Sequence, residues 1–67
     1  MQATAQTNMR LKIAIVAART TQRRVAADSG ITENRFSEIV CGWISPSDEE
    51  KRRIAAALGS QQEALFG

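Results

Sequence analysis

A single glycine, Gly30, separates two short stretches that both read as helix, and so short a hinge forces them to cross steeply. Ahead of it, the Thr21 hydroxyl can accept a bond from an orphan N–H of the first turn. Val25 and Ala26 then form the apolar face of a helix that stops at Ser29-Gly30. Gly30 suits a left-handed backbone, where a Cβ would be strained. Beyond it Ile31 plugs inward, Thr32 caps a second helix running to about Cys41, and Gly42 ends it. Phe36, Ile39 and Val40 fall on one side of that helix and polar residues on the other. Val25, Ile31, Phe36 and Ile39 are spaced to meet between the helices, with the small Ala26 where the approach is close. These are core positions.

The rest of the chain has to complete a core around this pair. With 67 residues there is room for one domain, and a chain of that size buries only about 60% of its unfolded surface. Cys41 is the one cysteine and histidine is absent, so no disulfide framework or Cys/His metal site can supplement the core. Helix packing or oligomerisation must supply the stability. A lone cysteine fits a reducing, cytoplasmic setting. The longest apolar stretch, Ile13 to Ala18, is far below the roughly 20 residues that span a bilayer. Met1 to Asn8 is polar and lacks the pattern of a secretory signal; it reads as a frayed tail ahead of a domain over 9–67.

The remaining helices follow from cap signals and spacing. The first runs from Asn8, its N-cap, to about Arg19, with Leu11, Ala14, Ile15 and Ala18 on one stripe. Ile13 and Val16 sit off that stripe, so this helix is apolar over more of its circumference than a surface helix requires. Trp43 to Pro46 reads as a loop. Ser47-Asp48-Glu49-Glu50 is a capping box with extra acids at the positive end of the helix dipole. It opens a helix with Ile54, Ala55, Ala57 and Leu58 inside, ending at Gly59. Ser60 is read as the cap of a last short helix ending in Leu65-Phe66. The fold class is all-α: five short helices with short loops in a compact domain.

A steep helix pair with a polar outer edge on the second member is the layout of a DNA-reading helix-turn-helix, here at 22–42. The net charge of +2 is less telling than its placement: Arg10, Lys12, Arg19, Arg23 and Arg24 all precede the first acid, Asp28. Glu33, Asn34 and Arg35 occupy the first turn of the second helix, with Ser37 and Glu38 on the adjoining face. Asn34 can bond adenine in a bidentate way, Arg35 can do so with guanine, and Glu33 or Glu38 can accept from cytosine. Glu33 could instead simply favour the helix dipole, and Glu38 could pair with a nearby arginine. Thr21, Gln22, Arg23 and Arg24 stand where the preceding helix would point at a phosphate. Gln22 could also brace a side chain of the second helix. Trp43 and Ser45 could reach the flanking strand through indole, hydroxyl or backbone amides, although Trp43 could equally be packing or a dimer contact. Lys51, Arg52 and Arg53 fan over a wide arc and read as solvated charge, with Glu49 and Glu50 able to pair with Arg53.

Thr21-Gln22, Val25-Ala26, Gly30-Ile31, Phe36-Ser37, Ile39, Gly42, Pro46-Ser47, Ala57-Leu58-Gly59 and Leu65-Phe66 together resemble the phage lambda repressor and Cro-like (XRE) helix-turn-helix family over roughly Leu11 to Phe66. The resemblance implies a five-helix domain that binds operator DNA, usually as a homodimer, and regulates transcription. By position it implies that Gln22 contacts phosphate and that Glu33 and Asn34 are principal base readers, with Ser37 and Glu38 further along. Departures are Ile15 where the family commonly has arginine, Arg19 where it has glycine, Arg24 where it has an acid, and Trp43 where it has a basic or polar residue.

The leading expectation is a repressor that binds double-stranded operator DNA as a homodimer, its two-fold surface at the end of the fourth helix and the fifth, with the first helix as the rival surface. A ligand-sensing domain has no room in a chain of this length. An antitoxin-like module with a protein partner is the alternative, motivated by Ile13, Val16, Ile15, Leu65 and Phe66. No enzyme, cofactor or metal is expected: Cys41 has no base or metal ligands predicted around it.

Overall fold

The computed structural model describes residues 7–66. Its elements are α1 (Met9–Ala17), α2 (Gln22–Ser29), α3 (Glu33–Cys41), α4 (Asp48–Leu58) and α5 (Gln62–Phe66), with no strand among the described residues. Among the described residues no helix is long and apolar enough to cross a membrane.

Each of the first four helices begins where a side chain can serve an orphan N–H. Asn8 Oδ1 accepts from Leu11 N–H at 3.0 Å, Thr21 Oγ1 from Arg24 N–H at 3.2 Å, and Thr32 Oγ1 from Arg35 N–H at 3.2 Å. Ser47 Oγ accepts from Glu50 N–H at 3.1 Å while Glu50 Oε1 accepts from Ser47 N–H at 2.9 Å, which completes the capping box. Such caps contribute about 1 kcal/mol each.

The helix ends are less uniform. α2 stops on Gly30, at φ +70°, with Ile31 N–H donating to the Ala26 carbonyl at 2.9 Å. α1 stops at Ala17, short of the Arg19 expected from spacing. Arg19 itself adopts φ +56°, and the Thr20 N–H turns back to the Ile15 carbonyl at 3.2 Å. A non-glycine residue therefore makes the left-handed turn, and Ala18 leaves the stripe and is exposed. Ser60 does not cap α5. Its N–H donates to the Ala55 carbonyl at 2.9 Å to finish α4, and the last helix starts only at Gln62.

α2 packs mainly on α4 and α3, and α1 on α5 and α3. Phe36, Leu11 and Ile54 are fully buried between them, joined by Val25, Ala26, Ile31, Ile39, Val40, Ala55 and Leu65. Ile15, at 4% exposure, belongs to this core and adds packing to it. Ala14, Ala57, Leu58 and Phe66 are only partly buried against it.

Asn8 is part of this folded unit and not of a tail. Its backbone N–H donates to the Val40 carbonyl at 2.8 Å, and its Nδ2 donates to the Leu65 carbonyl at 2.9 Å. One residue thus ties α1, α3 and α5 together. Of the rest of the expected frayed segment, Thr7 is exposed and residues 1–6 lie outside the described residues, as does Gly67.

Candidate nucleic-acid interface

The inner face of α3 is fixed by Phe36, Ile39 and Val40, all buried. At about 100° per residue, Asn34, Ser37 and Glu38 then fall on the opposite side, at relative positions i, i+3 and i+4, and all three are exposed. Glu33 is exposed on one flank of that ridge. Among the described residues, the side chains of Glu33, Asn34, Ser37 and Glu38 make no hydrogen bond or ion pair, so their polar atoms are free for an external partner. Cys41, half-buried and unoxidised, continues the same strip at i+7.

Arg35 is placed differently from the other expected readers. Its Nε donates to Glu50 Oε2 at 2.5 Å and its Nη2 donates to Glu50 Oε1 at 2.9 Å, a two-point fork between α3 and the first turn of α4. Glu50 is only 15% exposed in this pair. Bonding from Arg35, then from the Ser47 backbone N–H, holds the Glu50 carboxyl down to about 2 despite its partial burial. The same bond raises the Arg35 pKa, keeping the guanidinium charged. The pairing of Glu50 with Arg53 expected from helical spacing is not formed. Glu49 takes both Arg52 and Arg53, the latter at 3.0 Å. Lys51 lies over the Phe66 ring, 6.0 Å from its centroid. The basic run on α4 is thus occupied within the fold, as solvated pairs and one ring contact.

At the start of α2, Thr21, Arg23 and Arg24 are exposed and Gln22 is half-buried. The Thr21 hydroxyl oxygen is already used as the cap. Arg24 stands 3.4 Å from Asp28 one turn on, in a pair exposed on both sides. Arg23 has no acidic partner among the described residues. After α3, Trp43 is 70% exposed, which removes the packing role considered for it. Its backbone N–H donates to the Glu38 carbonyl at 2.9 Å, so only the indole remains to reach outward. Ser45 is exposed in the same loop. No cluster of three or more metal-ligating side chains occurs among the described residues.

No protein-family model matches the chain, and no curated protein matches it in sequence. Among solved structures it is similar to the clp gene regulator ClgR from C. glutamicum, with 22% identity and a TM-score of 0.79, covering 88% of this chain and 77% of that one. At this identity the property shared is the fold. The chain shares the all-helical fold of that structure, and its α2 and α3 form the helix pair joined through Gly30.

Proposed function

We propose that this protein is a sequence-specific double-stranded DNA-binding regulator of the lambda repressor and Cro-like (XRE) kind, acting as a repressor by occupying promoter DNA. The observation that carries the reading is the ridge of Asn34, Ser37 and Glu38. It is exposed, polar and unpartnered, on a helix whose opposite face is locked into the core. A side chain free of internal bonds, on a rigid support, is what base-edge readout requires. Asn34 is the adenine reader; Glu33 and Glu38 accept from cytosine, and Ser37 adds a hydroxyl. Thr21, Gln22, Arg23, Arg24, Trp43 and Ser45 flank the ridge and take phosphate. The ClgR structure, that of a gene regulator, supports a regulatory role for the shared fold.

The Arg35 fork changes the division of labour. With its guanidinium on Glu50, Arg35 sets the angle of α3 against α4 and leaves guanine unread. Two copies bind successive major grooves about 34 Å apart on a pseudo-palindromic site. They face each other through the end of α4 and α5, where Ala56, Gln61 and Ala64 are exposed and uncharged.

The test is selection from a pool of randomised duplexes by the purified protein, followed by sequencing of the bound fraction. Enrichment of a pseudo-palindrome with half-sites one helical turn apart is expected. Recovery of the pool unenriched would remove sequence-specific binding.

A further inference from the structure

α1 is apolar on two opposite faces. Leu11 and Ile15 lie in the core, while Met9, Ile13 and Val16 are 57%, 62% and 74% exposed. At about 100° per residue, these three centre on the side directly away from Leu11 and Ile15. Together with Ala17 and the methylene stem of Lys12 they form one apolar strip along the helix. Arg10 flanks the stripe on one side and Lys12 on the other, Arg19 follows the helix end, and α1 carries no acid. None of these three cations forms an ion pair among the described residues. None of the proposed base or phosphate contacts lies on this surface.

We infer that the outward face of α1 docks an acidic amphipathic helix of a different protein, with apolar residues at i, i+3 or i+4, and i+7 and glutamate or aspartate on both flanks. Charge decides the occupant. An apolar stripe bracketed by cations is complementary to an apolar stripe bracketed by acids, and such pairing sets partner choice between helices. A second copy in antiparallel register would bring Lys12 towards Lys12 and place no acid opposite any cation. An anionic membrane would match the charge. However, three side chains on a nine-residue helix whose rear face is locked in the core give little to insert into lipid. The inference stands independently of DNA binding.

The experiment uses the full chain and two labelled synthetic helical peptides with the same leucine face, one flanked by glutamates and the other by lysines. Fluorescence anisotropy should show the glutamate peptide binding about tenfold or more tighter than its lysine twin. Val16→Glu should weaken the glutamate peptide by about tenfold, and R10E/K12E should reverse the preference. All these positions are exposed, so thermal melts should coincide with that of the unchanged chain. Duplex gel shifts run alongside separate loss of this surface from loss of DNA binding. Equal affinity for both peptides, or indifference to Val16→Glu, would overturn the proposal. So would a sedimenting self-associated species dissolved by Val16→Glu, or tighter partition onto phosphatidylglycerol vesicles than onto the peptide.

Discussion

Asn34 and Arg35 are neighbours in sequence with opposite commitments. The Asn34 side chain has no internal partner among the described residues, so its removal should leave the fold intact and fall wholly on recognition. Asn34→Ala is expected to weaken specific binding by about 1–3 kcal/mol and relax preference at one base pair, measured by titrating the selected duplex and its single-base variants. Equal losses on specific and random duplex would refute a reading role. Arg19 poses a separate question of backbone strain. At φ +56° a Cβ crowds the following carbonyl, whereas glycine does not. Arg19→Gly should therefore raise stability by about 0.5–1 kcal/mol net of the extra unfolded-state entropy, moving the thermal midpoint up by about 3–6 °C. A lowered midpoint would mean that the arginine side chain makes contacts worth more than the strain.

Between elements, the α3–α4 junction depends on one carboxylate. Glu50 closes the capping box of α4 and grips Arg35 of α3 at once. Its folded pKa, about 2, lies below the ordinary 4.5. A depressed carboxylate stabilises the folded state above the unfolded pKa, and that contribution is lost as pH falls from about 4.5 through about 2. Glu50→Gln keeps an acceptor for the Ser47 N–H but removes the charge. It should lower the urea midpoint at neutral pH and flatten the acid limb; an acid limb identical to that of the unchanged chain would place the titrating group elsewhere. At the start of α2, Arg23→Ala should reduce affinity on all duplexes alike and cut the salt slope by about one unit. An unchanged slope would remove it from the phosphate contacts. Most of these element boundaries were legible because they rest on local chemistry: Asn8, Thr21, Thr32 and Ser47 each cap the helix that follows. The end of α1 was not, because Arg19 gives no glycine signal for its left-handed turn. Nor was the Arg35–Glu50 fork, which joins residues 15 apart and exists only once α3 and α4 have both packed on α2. In the candidate site, periodicity located the ridge of Asn34, Ser37 and Glu38, while the engagement of Arg35 and the availability of Arg23 depended on neighbours brought in by the fold.

For the molecule as a whole, the margin is thin. At about 0.05–0.15 kcal/mol per residue, total stability is on the order of 3–10 kcal/mol. Phe36, fully buried among helices from both halves of the chain, carries a large share of it. Phe36→Ala should cost about 3–5 kcal/mol and abolish or strongly broaden the cooperative thermal transition seen by circular dichroism. Retention of a sharp transition near the original midpoint would show that the core refills the space. The bond from Asn8 to Leu65 joins positions 57 apart in sequence at 2.9 Å, so the two ends of the described segment, residues 7–66, meet. The architecture is in effect a ring left open at one point. A brief peptide bridge across that gap would permit circular permutation, with new ends at the exposed Gly59, and would leave the α2–α3 unit uncut.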